Sequence, residues 1–109
     1  MSREKELLNH LIAWISGEPR SQQFDICCYI GKELFLRKNT EYGDSIKETG
    51  VLGAVVAIHG ICARLSVLCI KGKFSQENVR ELLVDLFVDL HNYANIALIM
   101  LGEDNLDGV

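Results

Sequence analysis

The chain has 109 residues, 49% of them hydrophobic and 24% charged, with a formal net charge of −4. That length holds one core and leaves no room for a second domain. The composition excludes a disordered or low-complexity chain, and the acidic balance excludes a general duplex nucleic-acid binder, whose affinity comes largely from Lys and Arg neutralising phosphates.

Residues Met1 to Glu6 are charged and run straight into an amphipathic stretch, without the apolar centre of a signal peptide, which points to the cytoplasm. Leu7, Leu8, Leu11, Ile12 and Ile15 recur at three- and four-residue spacing behind Ser2. They predict a first helix that ends near Gly17-Glu18-Pro19. Ser21 is placed to cap a second helix with Phe24, Ile26, Cys27, Cys28, Ile30, Leu34, Phe35 and Leu36 as its apolar set, Lys32, Glu33 and Arg37 as its charged positions, and an end by Lys38-Asn39. Asn39, Thr40 and Gly43 read as an interhelical turn.

Ser45-Ile46-Lys47-Glu48 has the form of a capping box, which predicts the start of a third helix. From Val51 to Ile70 this helix is apolar on nearly every side, so it is expected either buried at the centre of the fold or inside a membrane. Burial is preferred, because a span would carry Arg64 into hydrocarbon at a cost of roughly 2.5 to 3.5 kcal/mol. Lys71-Gly72-Lys73 closes the helix with cations and a reversing glycine. Ser75 is placed to cap a fourth helix with Glu77 in its first turn and Leu82, Leu83, Leu86, Leu90, Tyr93, Ile96, Ala97 and Met100 along one side, up to Gly102.

The prediction is a single all-α domain over residues 1–109, a compact bundle of about four helices with a buried apolar central helix, assembled as a homo-oligomer. The four cysteines, Cys27, Cys28, Cys62 and Cys69, lie inside apolar helical runs without metal-ligand spacing and read as reduced core residues.

Three features of the sequence bear on chemistry. Gly53, Ala57, Gly60 and Arg64 form a narrow stripe of small residues ending in a cation on the third helix, suited to close packing against another helix or a second copy. Glu81, Asp85 and Asp89, with Asn92 three residues on, place acceptors along one face of the fourth helix, either a solvated acidic face or an edge for Mg²⁺ or a ribose. Arg37-Lys38-Asn39-Thr40-Glu41-Tyr42-Gly43-Asp44-Ser45 gathers two cations, an aromatic ring, a glycine and a hydroxyl, the mixture used around phosphates and bases and equally that of a polar turn. His10, His59 and His91 are scattered and read as packing or surface residues. The chain shows no nucleophile with a base, and no Walker or dinucleotide fingerprint.

Lys38-Asn39-x-x-Tyr42-Gly43-Asp44, followed by Asp85-x-x-x-Asp89-Leu90-x-Asn92-Tyr93-Ala94, resembles the nucleotide modification associated domain family of short, all-α, phage-type proteins, over Lys38 to Ala94. That family is similar in outline to the MazG-like nucleoside triphosphate pyrophosphatases. The resemblance implies a nucleotide ligand, a cyclic nucleotide signal among the candidates, with Lys38, Tyr42, Asp44, Asp85, Asp89, Asn92 and Tyr93 as the matching positions. In this reading Arg37, Lys38 and Arg64 meet phosphates, Tyr42 or Tyr93 stacks on a base, and Asp89 or Asn92 contacts sugar or base edges. Gly60-Ile61 stand where the family pattern carries an Asp-Lys pair before Arg64-Leu65, and the Glu-x-x-Glu pairs of the pyrophosphatases are absent. The expectation is therefore a phage-encoded protein in the host cytoplasm that binds or sequesters a nucleotide without turnover, with Mg²⁺ as the one cofactor candidate, no duplex nucleic acid and no membrane. One alternative is a Mg²⁺-dependent pyrophosphatase with Asp85 and Asp89 on the metal; another is a structural oligomerisation module.

Overall fold

The computed structural model describes residues 19–37, 39–72 and 76–103, with 39–49 and 103 described by their backbone alone. These residues form three helices and no strand: α1 (Arg20–Arg37), α2 (Asn39–Lys71) and α3 (Glu77–Glu103). The fold is all-helical, as expected. The helix predicted over Leu7 to Ile15 lies outside the described residues.

Helix α1 begins directly after Pro19, whose carbonyl accepts the Gln23 N–H at 2.9 Å. A proline disfavours helical backbone in the residue before it, so the start is set by Pro19, and Ser21 falls inside the first turn instead of capping it. Helix α1 ends at Arg37, where the sequence placed it. The turn expected over residues 39–45 is instead helical. Helix α2 runs on from Asn39 and is interrupted at Gly50, with φ 67° and ψ −157°. Glu41, Ile46, Lys47 and Glu48 tolerate helix well, and one unfavourable Gly43 does not outweigh them. The break falls instead at a backbone geometry that belongs almost entirely to glycine. At the far end Gly72 takes φ 66° and donates its N–H to the Leu68 carbonyl at 3.2 Å, closing α2 as the Lys-Gly-Lys pattern predicts. Helix α3 starts with Glu77 in its first turn, and the Gln76 carbonyl accepts the Arg80 N–H at 3.0 Å. Ser75, the expected cap, lies outside the described residues.

Three apolar clusters hold these helices, and each contains residues of α3. Ile30 and Leu34 of α1 pack with Val88, flanked by Ile26 and Val84. Ala54 of α2 packs with Ile96, flanked by Phe35, Tyr93, Ala97 and Met100. Ile61 and Leu65 of α2 pack with Leu83 and Leu86, flanked by Leu68, Val79, Leu90 and Tyr93. The order of these pairs makes α1 parallel to α3 and α2 antiparallel to it.

Helix α3 therefore takes the central place expected of the third predicted helix, and α2 is buried on one side only. Ala54, Ile61 and Leu65 are covered, but Leu52, Val55, Val56, Val67 and Ile70 face outward, Ile70 at 86% exposure. Among the described residues, partners are supplied for a single stripe of this all-round apolar helix. The same geometry corrects the cysteines: Cys27, Cys62 and Cys69 are exposed and Cys28 is half-buried, all with free thiols. Leu82 also leaves the apolar side of α3 and is exposed, since Leu83 and Leu86 already define the stripe that meets α2. The segments Gly50–Lys71 and Glu77–Gly102 are each long and apolar enough to cross a membrane, by length and composition.

Candidate functional site

Where α1 and α3 run side by side, their contact changes character along its length. At the Ile30–Val88 level it is hydrocarbon. Beside that cluster, Gly31 brings the α1 backbone against the ring of His91. A Cβ placed on Gly31 would stand 2.7 Å from His91 Nδ1, 2.9 Å from Cε1 and 3.3 Å from Asn92 Oδ1, the first two closer than real Cβ contacts come. Any larger residue would push the imidazole out, so glycine is required here by proximity.

The imidazole is held in turn by two amides. His91 Nδ1 lies 3.0 Å from Asn92 Oδ1, and Asn95 Nδ2 lies 3.3 Å from His91 Nε2. The i, i+4 spacing of His91 and Asn95 puts those side chains on one face of α3. Asn92 is buried at 3% exposure, and its amide nitrogen has no hydrogen-bond partner among the described residues. A buried amide N–H left unpaired costs about 1 to 3 kcal/mol, so this is a group that an ordered water or a ligand would satisfy.

Asn92 lines a groove of about 270 Å³ between the two helices, together with Cys28, Lys32 and Phe35 from α1 and His91, Asn95, Ile96 and Ile99 from α3. Lys32 is exposed and brings a cation to the rim. On the other side of His91 lies a smaller, almost wholly apolar hollow of about 180 Å³, lined by Cys27, Gly31, Val84, Phe87 and Val88. The Cys27 thiol sits above the ordinary thiol range, because neighbouring protein desolvates its thiolate and the adjacent Cys28 adds to the effect. It is a poor nucleophile at neutral pH.

Of the residues singled out from the sequence, the groove contains Asn92. Tyr93 is half-buried against α2, in the clusters around Ala54 and Ile61. Asp85 and Asp89 are half-buried on α3, and among the described residues no group of three or more His, Cys, Asp or Glu side chains is arranged to hold a metal ion. Arg37 is exposed at the end of α1 and Arg64 is exposed on α2, neither of them lining the groove. Lys38 lies outside the described residues, as do the side chains of Tyr42 and Asp44. The small-residue stripe is open at Gly60, where a Cβ would meet nothing within 4 Å, while Gly53 and Ala57 are half-buried.

Sequence reasoning gave Lys32 and Phe35 only their places on a helix, read His91 as a packing or surface residue, and passed over Asn95. The available signal was His91-Asn92-Tyr93-x-Asn95, four hydrogen-bonding side chains within five residues at the start of the most apolar half of α3. No family model, curated protein or solved structure matches the chain.

Proposed function

We propose that this is a cytoplasmic, phage-type protein that binds and sequesters a nucleotide, and that the ligand sits in the α1–α3 groove without being turned over. The observation that carries this reading is Asn92, a buried side-chain amide with an unused donor in the wall of a groove. Around it the groove offers what a nucleotide needs: apolar walls from Phe35, Ile96 and Ile99 for a flat ring, and the Lys32 ammonium at the rim for a phosphate. The volume is just below the range of about 300 to 1,000 Å³ usual for ligand pockets, which suits a base with its sugar and leaves the phosphates at the mouth. The resemblance of the Asp89-Leu90-x-Asn92-Tyr93-Ala94 element to the nucleotide modification associated domain family supports the same ligand class.

The test is to incubate the protein and Mg²⁺ with a panel of linear and cyclic nucleotides, follow melting, and chromatograph both the solution and the ligand released by heating. A bound nucleotide at a hundred times its Kd stabilises by about 2.7 kcal/mol, a readily visible rise in Tm. The expected result is such a rise for at least one nucleotide, recovered intact, and its loss in Asn92→Ala. Unchanged melting across the panel overturns the proposal. Release of monophosphate and pyrophosphate from a triphosphate overturns the absence of turnover and favours the Mg²⁺-dependent pyrophosphatase, with Asp85 and Asp89 as the residues to replace.

The outward face of α2 is proposed to be covered by a second copy of the chain. Leu52, Val55, Val56, Val67 and Ile70 together form an apolar face of a kind that soluble monomers rarely leave bare, and Gly60 beside it, with open space where a Cβ would stand, lets a second backbone approach. A second reading has an observation in its favour too, the two helices long enough to span a bilayer. Light scattering in detergent-free buffer separates them. A defined oligomer supports self-association, whereas recovery from carbonate-washed membranes alone supports insertion.

A further inference from the structure

The outward side of α2 carries a regular stripe. Leu52, Val56, His59, Ala63, Ser66 and Ile70 follow one another at steps of four, three, four, three and four, and all six are exposed. That is the spacing of a coiled-coil seam. The stripe lies opposite Ala54, Ile61 and Leu65, the residues that meet α3. Leu52 is 66% exposed, Val56 64% and Ile70 86%, with Val55 and Val67 on the flanks at 52% each. These five aliphatic side chains bare roughly 200 to 400 Å². An interface of about 800 Å² per partner, a little over half of it apolar, needs roughly 450 Å² of apolar area. The exposed Cys62, Ala63 and Cys69 beside them make up much of the difference.

Read from its two ends, the stripe matches itself in reverse. Leu52 pairs with Ile70, Val56 with Ser66 and His59 with Ala63, with the midpoint at Ile61. The end layers join two long aliphatic side chains, and each inner layer sets a larger side chain against a smaller one, so antiparallel copies pack without bulge or gap. A two-fold interface requires this self-complementarity. Parallel copies would set every residue on itself, imidazole on imidazole and alanine on alanine, and would bring Arg64 and Lys71 level with their own copies. Reversed, Arg64 stands level with Ile58 and Lys71 with Val51, and the two helix dipoles run in opposite directions. A bilayer would cover the same face but would take His59, Ser66 and Arg64 into hydrocarbon. Resting on the reading that a second copy covers α2, we propose that two copies pair antiparallel through this stripe, about a two-fold axis at the level of Ile61, with His59 of each against Ala63 of the other. The assembly then closes at two chains.

Exchanging charges across the seam tests the register in a chain that keeps its native cysteines. His59→Glu and Ala63→Lys are each expected to weaken self-association by on the order of 10-fold or more, because each buries an unpaired charge, and sedimentation velocity at micromolar concentration reads the shift toward monomer. An equimolar mixture of the two variants is expected to recover a dimer holding one chain of each, since the introduced charges meet across the axis. Cross-linking gives a second reading, in a chain whose four cysteines are replaced by alanine. Leu52→Cys chains mixed with Ile70→Cys chains are expected to join in a mixed disulfide under a copper–phenanthroline oxidant. Neither variant should link to itself, because like positions then stand about 27 Å apart. Where the alanine-replaced chain does not fold, the charge exchange alone decides. No recovery in the mixture, or each cysteine variant linking to itself, overturns the antiparallel pairing while the second copy stands. A wild-type dimer indifferent to both charges has its contact elsewhere and overturns the pairing together with the covered face. A wild-type monomer, or protein recovered in membranes alone, overturns both as well.

Discussion

Helix α3 is gripped from two sides that differ in kind. Toward α2 it presents Leu83, Leu86, Leu90, Tyr93 and Ala97 to Ile61, Leu65 and Ala54, a seam made almost entirely of hydrocarbon. Toward α1 the hydrocarbon is short, Ile30, Leu34 and Val88, and gives way to a tight backbone-to-ring contact, two side-chain hydrogen bonds and an open groove. The first seam maximises buried apolar area; the second gives part of it up to polar side chains and a groove. Stability and recognition are thus assigned to opposite sides of one helix, and substitutions on the two sides should separate them.

The largest effect is expected from Ile61→Ala, which empties a site with 2% exposure in the α2–α3 seam. Chemical denaturation should show a loss of about 2 to 5 kcal/mol, with nucleotide affinity unchanged wherever the chain stays folded. A loss below ~1 kcal/mol would mean that this seam does not hold the fold. Next is Gly31→Ala. Forcing a methyl group against His91 costs about 1 to 3 kcal/mol as overpacking, and the better helix propensity of Ala returns about 1 kcal/mol. The net loss, about 1 kcal/mol, should come with a displaced imidazole, seen as altered His91 and Asn92 side-chain resonances. Unmoved resonances would show that the close approach is not maintained in solution.

Asn92→Leu should run the other way. It gives up the His91 hydrogen bond but also removes a buried, unpaired N–H, so stability is expected to hold or rise by up to about 1 kcal/mol while binding is lost. A variant that is both weaker-folding and non-binding would place Asn92 among structural residues. At Cys27 the raised thiol pKa lowers the thiolate fraction at neutral pH, so alkylation by iodoacetamide should be slower there than for a free cysteine peptide and should accelerate as pH rises. The smallest effect belongs to Ile70→Ser on the bare face of α2: within about 0.5 kcal/mol if nothing covers Ile70, and clearly larger if the second copy lies over it.

These two sides were unequally legible in the sequence. The α2–α3 seam rests on three- and four-residue spacing within single helices, and Leu83, Leu86, Tyr93, Ile96 and Ala97 could be placed from local pattern alone, as could the end of α1 at Arg37 and the reversal at Gly72. What local pattern could not supply was which stripe of the all-round apolar α2 would find a partner, because every stripe is equally hydrophobic. Residues 39–45 misled for a related reason. Their polar character resembles a turn, but the chain turns where backbone geometry demands it, and Gly50 is the residue that breaks α2. The groove was least legible. Asn92 stood out as a polar position on α3, yet its meaning depends on Gly31, 61 positions earlier on another helix, and no spacing rule links the two.

The placement of α3 also governs how the chain comes into being. Helices α1 and α2 precede it, and each buried cluster needs a side chain between Leu83 and Ile96 to close it. During synthesis, Ile30, Leu34, Ala54, Ile61 and Leu65 emerge before the residues that will cover them, so the nascent chain carries adhesive surface until its last helix leaves the ribosome. Closure of all three clusters therefore waits for α3. A chain halted before Glu77 would lack the side chains that close each of these three clusters.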